Sequence, residues 1–228
     1  MTLTIVYVDE EEDQHRDFMN KFREHIRSEE VKCICILPKS DVHETIFEIL
    51  NYHPDVLVCD WQLNANKVCV LEEINYTGSE LIKEFLKVRQ DFPVYVNSAL
   101  IRECVGDDST NDINNVFSKS DTDWQENENS QDLSIIERIK IQSRKYYKKI
   151  DNYEEELSKL VIKRNSNSSL TVYEEERIVE LDSLLESSID NRTKLAKSLK
   201  FITNKDRLNQ LIKNTEKLLK KVENSESR

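Results

Sequence analysis

The chain has 228 residues, and its 33 lysines and arginines against 44 aspartates and glutamates give a net charge of −11 at pH 7. It contains only two glycines, too far apart for a Gly-x-Gly-x-x-Gly fingerprint or a Walker A loop, which excludes both nucleotide-binding motifs. Charged residues make up 34% of the chain and apolar residues 38%. Average globular domains have roughly 25% and roughly 45–50%, so we expect part of the chain to form solvated, elongated helix.

The sequence also bears on where the protein works. No apolar run approaches the roughly 18 residues that a membrane-spanning helix needs, and the chain turns acidic at Asp9, before a signal-peptide core can form. The five cysteines include no Cys-x-x-Cys pair, which argues against a zinc knuckle or a disulfide framework and favours buried, reduced thiols. We therefore expect a cytoplasmic protein.

In the first half of the chain, short runs rich in β-branched residues alternate with helical patterns. Apolar residues spaced by three or four predict helices around Phe18, around Ile46 and after Gly78. An alternation of strands and helices predicts right-handed crossovers and a doubly wound, five-stranded parallel sheet. The predicted strands cover residues 3–8, 31–37, 55–59, 94–96 and, more weakly, 115–117.

The second half has no strand pattern. From Ile135 to Leu160, apolar residues recur at spacings of three, four or seven, which predicts one long helix. A polar break at 164–169 ends this pattern, and the same spacing returns over 178–202 and over 208–222. We expect two or three long antiparallel helices that form a hairpin or a coiled coil.

Charge divides the chain near residue 130. Residues 1–131 hold 12 basic and 27 acidic residues, a net charge of −15, whereas residues 132–228 hold 21 and 17, a net charge of +4. The segment 118–132 is polar and acidic, as a linker would be. We therefore predict two domains, 1–128 and 129–228.

Reactive side chains follow four of the predicted strands. Asp9 and Glu10 follow the first strand, Asp60 the third, Ser98 the fourth and Lys119 the fifth. The carboxyl ends of parallel strands meet at one edge of a doubly wound sheet, so we expect these side chains to lie together. Three carboxylates suit Mg²⁺, which prefers carboxylate oxygens together with a phosphate. Asp60 can then act as a nucleophile that forms an acyl phosphate, while the amine and the hydroxyl contact phosphoryl oxygens.

This set resembles the receiver domain of two-component response regulators, and the resemblance covers residues 3 to about 126. It implies that Asp9 and Glu10 are the metal-binding acid pair and that Asp60 is the phosphoacceptor and a further metal ligand. It also implies a metal ligand from the backbone carbonyl of Gln62. The cofactor would be Mg²⁺, and the donor a histidine kinase or a phosphotransfer protein.

The resemblance further implies that Ser98 is the switch hydroxyl and Lys119 the phosphate-pairing lysine. The sequence departs from the family pattern in three places. Residues 61–77 form a longer loop than usual, Val116 replaces the usual switch aromatic, and Ser120 replaces a proline. These departures affect the usual signalling route through the switch hydroxyl and the aromatic residue, and none of them removes a residue of the phosphoacceptor set.

Three functions are consistent with these features. The first is a signalling switch whose only catalysis is its own phosphorylation and dephosphorylation, and whose helical tail binds a protein partner or a second copy. The second is a receiver-like domain without phosphorylation that serves as a docking or structural subunit of a larger complex. The third is nucleic-acid binding through residues 192–221, where ten basic residues stand against two acidic ones. Pairing of this basic segment with the acidic segment 174–190, or with the acidic first half of the chain, is the favoured alternative to nucleic-acid binding.

Overall fold

The chain forms two compact units, Met1–Lys149 and Ile150–Arg228. No helix in the described ranges combines the length and the apolar composition needed to cross a membrane. The computed structural model describes residues 2–64, 73–106, 115–120, 133–166 and 170–190.

Five parallel strands form the sheet of the first unit: β1 (Leu3–Val8), β2 (Val31–Ile36), β3 (Val56–Asp60), β4 (Val94–Ser98) and β5 (Val116–Ser118). Their order across the sheet is β2-β1-β3-β4-β5. The chain moves outward from β1 in one direction to β2 and then in the other direction through β3, β4 and β5, which is the doubly wound, flavodoxin-like order. The predicted fold class is confirmed.

A helix follows every strand, and several of the helices begin at side-chain caps. Asp41 accepts a hydrogen bond from the backbone N–H of His43, and Thr77 and Glu80 form a reciprocal capping box. The helix predicted around Phe18 is two helices, α1 and α2, separated at Phe22. The six-residue α5 was not predicted because it is too short to show a helical period. The helices are α1 (Glu12–Lys21), α2 (Arg23–Arg27), α3 (Val42–Asn51), α4 (Gly78–Val88), α5 (Ile101–Gly106), α6 (Ile135–Asn165) and α7 (Val172–Asp190).

The start of α6 belongs to the core of the first unit. Ile135, Ile136 and Ile139 are buried in one apolar cluster with Phe18 and Phe22 of the α1 region and with side chains of the sheet. The compact unit that contains the sheet therefore extends to Lys149, further along the chain than the predicted first domain. The predicted domain boundary at residue 128 stays a prediction. The apolar stripe in the sequence of α6 does not show which surface it covers.

A hydrogen bond holds α6 to the amino-terminal end of β3. The Tyr147 hydroxyl donates to Asp55 Oδ1 over 2.6 Å, and the other oxygen of that carboxylate accepts the backbone N–H of Thr4 over 2.7 Å. The ring of Tyr146 meets Phe92 edge-on, with the centroids 5.5 Å apart. The first fifteen residues of α6 thus complete the layer of helices on one face of the sheet.

In the second unit, the last turns of α6 pair with α7 in antiparallel directions. Arg177 reaches Glu156 through two hydrogen bonds of 2.8 Å, and Lys163 pairs with Glu174 over 2.6 Å. The break predicted near residue 164 is confirmed, since α6 ends at Asn165. The predicted helical segments beyond Asp190, including the basic residues 192–221, lie outside the described residues.

Candidate functional site

An acid cluster forms where β1 and β3 end. Asp9 and Glu10 follow β1, Asp60 is the last residue of β3, and one carboxylate oxygen from each lies within 4.8 Å of the others. All three residues are buried, with exposed fractions of 0%, 2% and 5%. The parallel register brings the strand ends to one edge, so the structure gathers the three acids that the sequence separates by up to 51 positions.

Lys119 is the basic partner of this cluster. It follows β5, and its Nζ lies 2.9 Å from Asp9 Oδ2 and 3.0 Å from Asp60 Oδ1. Burial lowers the pKa of this lysine, but the carboxylates of Asp60 and Asp9 outweigh the burial, so its pKa is raised overall and it stays charged. Within the described part of the chain, three buried carboxylates therefore face one ammonium group, which leaves an excess of negative charge among these residues.

The burial of the acids is visible in the pKa values of two of them. Burial, with a smaller contribution from the neighbouring carboxylates, raises the pKa of Glu10 to about 7. Burial also raises the pKa of Asp60 to about 6, although Lys119 acts in the opposite direction. Both acids thus hold protons more tightly than they would in water.

The donor set fits a small divalent cation. Carboxylate oxygens are the ligands that Mg²⁺ prefers, and a dication would offset the uncompensated charge. Glu10 Oε2 is buried and has no hydrogen-bond partner within the described part of the chain. An unpartnered buried carboxylate oxygen is costly unless something binds it. We therefore expect Asp9, Glu10 and Asp60 to hold the ion.

Backbone N–H groups orient two of the acids. Asp9 Oδ1 accepts the N–H of Glu11 over 2.9 Å, and Asp60 Oδ2 accepts the N–H of Gln62 over 3.2 Å. The second bond places the backbone of Gln62 beside the predicted acceptor. The role of the Gln62 carbonyl as a metal ligand stays a prediction.

Ser98 lies at the same edge but is hydrogen-bonded locally. Its Oγ accepts the N–H of Leu100 over 2.9 Å, and its carbonyl accepts the N–H of Lys119 over 3.0 Å. The predicted switch hydroxyl thus lies close in the backbone to the predicted phosphate-pairing lysine, and its role stays a prediction. Val116 is half-buried, whereas its neighbour Phe117 is buried and stacks on Tyr95.

Tyr7 belongs to the site, although the sequence reading treated it only as a strand residue. Its hydroxyl donates to Asp9 Oδ2 over 2.5 Å, and its ring stacks on Phe18 with the centroids 4.1 Å apart. Burial, together with the charge of Asp9, raises the pKa of Tyr7 far above its usual value. The missed signal is the period of two along a strand, which puts residues 7 and 9 on the same side of β1.

The long loop after Asp60 returns to the fold at a fixed place. Residues 65–72 lie outside the described ranges. Beyond them, the hydroxyl of Tyr76 donates to the carbonyl of Lys39 over 2.6 Å and lies 2.7 Å from Thr45 Oγ1 at the start of α3. The C-terminal end of this loop is therefore anchored between β2 and α3.

Comparison with known proteins finds similarity only among solved structures. The crystal structure of the anti-anti-sigma factor PhyR from Bartonella quintana aligns with 67% of this chain at 11% identity and a TM-score of 0.41. The alignment covers 51% of PhyR, so this chain spans about half the length of that protein. A structure of the RcsB response regulator from Salmonella typhimurium aligns with 81% of this chain and 67% of its own, at 13% identity and a TM-score of 0.34.

No protein-family model and no curated protein matches the sequence. At such low structural similarity the two alignments carry no argument about function. The fold assignment rests on the strand order and the parallel register of this chain.

Gly78 permits the close approach of α4 to the acceptor strand. A Cβ at this position would lie 1.8 Å from the backbone oxygen of Asp60 and 2.9 Å from Cys59 Sγ, and the N–H of Gly78 donates to the carbonyl of Trp61 over 2.8 Å. Any side chain at position 78 would therefore displace the backbone of Asp60.

We therefore predict that Gly78→Ala destabilises the first unit by about 2–3 kcal/mol, because backbone atoms must shift to relieve the overlap. Urea denaturation followed by tryptophan fluorescence measures the loss, since both tryptophans lie before residue 130. The control is Gly106→Ala, where a Cβ would meet no atom within 4 Å and no loss is expected. Equal stability of the two variants would contradict the close approach.

Proposed function

We propose that the first unit is a phosphoacceptor domain of the receiver type, in which Asp60 accepts a phosphoryl group at an Mg²⁺ site. The observation that carries the proposal is the buried cluster of Asp9, Glu10 and Asp60, with ligand atoms within 4.8 Å of one another and Lys119 paired to two of them. A site with three acids and one lysine supports the transfer of an anionic group only when a cation offsets the acids.

The residues of the chain have separate tasks in this reaction. A carboxylate oxygen of Asp60 attacks the phosphorus, the bond from phosphorus to the donor nitrogen of a phosphohistidine breaks, and its electron pair stays on that nitrogen. Lys119 pairs with the phosphoryl oxygens from its place beside Asp60. When bound, Mg²⁺ would reduce the repulsion between the carboxylates and the incoming phosphoryl oxygens.

The output of this switch is a protein interaction made by the helical region. Helix α6 begins in the core of the first unit, beside Phe18, and ends in the second unit at Asn165. We therefore infer that the partner binds the helices. The donor that the resemblance to receiver domains implies is a histidine kinase or a phosphotransfer protein. The only chemistry of the chain would be its own phosphorylation and the hydrolysis of the acyl phosphate.

A second function is favoured by the surroundings of Ser98. Its hydroxyl is hydrogen-bonded to the N–H of Leu100, and Val116 lacks the ring that usually accompanies the switch hydroxyl. A receiver-like docking subunit that is not phosphorylated would need neither a switch hydroxyl nor its aromatic partner. The nucleic-acid hypothesis depends on residues 192–221, which lie outside the described residues.

Phosphorylation is tested by the intact mass of the protein after incubation with Mg²⁺ and acetyl phosphate. We expect one added phosphoryl group on the wild type and none on Asp60→Asn, because the variant lacks the nucleophile. The control is Asp17→Asn, which changes an exposed aspartate of α1 and should be labelled like the wild type. Labelling of Asp60→Asn at the wild-type rate would contradict the assignment. No labelling of the wild type, either by acetyl phosphate or by a phosphorylated phosphotransfer protein, would favour the docking subunit.

The raised pKa of Glu10 predicts how stability depends on pH and on Mg²⁺. A carboxyl group whose pKa is higher in the folded protein stabilises it below the unfolded pKa, and this contribution is lost as the pH rises through about 7. Without Mg²⁺, Glu10→Gln should therefore be more stable than the wild type at pH 8, by about 1–3 kcal/mol, and should match it more closely at pH 5.

Thermal unfolding at both pH values, with and without Mg²⁺, measures this difference. Mg²⁺ should raise the Tm of the wild type at pH 8, because it binds only the folded protein, and should raise that of Glu10→Gln much less. Glu12→Gln, an exposed change in α1, is the control and should behave like the wild type. A wild-type Tm that is insensitive to Mg²⁺ would argue against the cation site.

A further inference from the structure

Tyr7 differs from the other core residues of β1 because its polar atom faces a charge. The residue is fully buried, and its hydroxyl donates to Asp9 Oδ2 over 2.5 Å. A valine or a leucine would fill a strand position of this kind without any polar group. Packing alone therefore does not account for the hydroxyl.

The number of donors around Asp9 shows what the hydroxyl does. A carboxylate has about four lone-pair positions. On Asp9, Oδ2 accepts from Tyr7 and from Lys119, and Oδ1 accepts from the N–H of Glu11. Donors from the described residues thus occupy three of the four positions and leave one lone pair on Oδ1 open to them. This lone pair would be available to a cation, and the donors on Oδ2 hold the carboxylate in its present orientation.

The direction of the Tyr7 hydrogen bond follows from its other neighbour. Asn97 Nδ2 lies 3.4 Å from the phenol oxygen and donates to it. The phenol has only one hydrogen, and since its oxygen accepts from the amide, this hydrogen is free to point to Asp9.

The ring of Tyr7 holds the hydroxyl in place. It stacks on Phe18 with an angle of 11° between the planes, inside the cluster to which Ile135 and Ile139 of α6 also belong. A hydroxyl on a ring packed in this way loses little freedom when it binds the carboxylate. The hydroxyl that contacts Asp9 is thus carried by a ring that packs in one cluster with residues of α1 and α6.

We propose that Tyr7 is a positioning residue that holds Asp9 in the orientation needed to bind Mg²⁺, an inference that rests on the proposed function. Hydrogen bonds to metal ligands orient them, and their removal commonly weakens metal binding 10–100-fold. Tyr7 would act through Asp9 alone and would not touch the phosphoryl group.

The test compares Tyr7→Phe with the wild type, both without phosphate. The variant keeps the ring and loses only the hydroxyl. Titration calorimetry should show Mg²⁺ affinity about 10-fold weaker or more. The rate of labelling by acetyl phosphate should be reduced at low Mg²⁺ and should return to the wild-type rate at saturating Mg²⁺, because the nucleophile is intact.

The matched control is Tyr95→Phe. Tyr95 is a buried tyrosine on the same face of the sheet, and it stacks on Phe117 with the centroids 5.1 Å apart. Its hydroxyl has no hydrogen bond to the acid cluster within the described residues. The control should bind Mg²⁺ like the wild type, which separates the loss of one particular hydrogen bond from the loss of any buried hydroxyl.

Three results would overturn the inference, and they are distinguishable. If the wild type binds Mg²⁺ and Tyr7→Phe binds it equally well, the positioning role is wrong and the proposed function stands. If Tyr95→Phe weakens binding as much as Tyr7→Phe, or if labelling of Tyr7→Phe stays slow at saturating Mg²⁺, the effect is a general one on the fold. If the wild type neither binds Mg²⁺ nor becomes labelled, the proposed function fails together with the inference.

Discussion

Three carboxylates and one ammonium group, buried together at one edge of a parallel sheet, are the interaction on which the rest of this structure depends. Charges removed from water are costly, and like charges placed close together add to the cost. The pKa values of Glu10 and Asp60 are raised, so Lys119 alone does not offset the cost of burying these two carboxylates. The described residues of this fold leave part of the negative charge at the site uncompensated. This charge is the physical basis for the function that we propose for the site.

The surrounding structure holds the cluster in place. The register of β1 and β3 aligns the strand ends, the absence of a side chain at Gly78 lets α4 approach the backbone of Asp60, and the Tyr7 hydroxyl donates a hydrogen bond to Asp9. The ring of Tyr7 packs in the apolar cluster that also contains the first residues of α6. The acid cluster and the helix that leads to the second unit therefore share one set of packed side chains.

The sequence was sufficient for the features that depend on local period and order. Short β-branched runs that end in acids predicted the parallel sheet, and parallel topology alone implied that Asp9, Asp60 and Lys119 would meet. It was insufficient where a residue has several possible partners. An apolar stripe at helical spacing does not show whether it packs on a sheet or on another helix, so the place of Ile135 within the first unit was not foreseen. A tyrosine in a strand reads as core, and only coordinates show that its hydroxyl reaches a carboxylate.

The most direct test of a buried, cation-dependent acid cluster is the number of protons released when Mg²⁺ binds. Calorimetric titration in buffers of different ionisation enthalpy gives this number. With pKa values of about 7 and about 6 for Glu10 and Asp60, binding at pH 6.5 should release about one proton per ion, and binding at pH 8 should release far fewer. Binding at pH 6.5 without proton release, or no binding at either pH, would contradict the account.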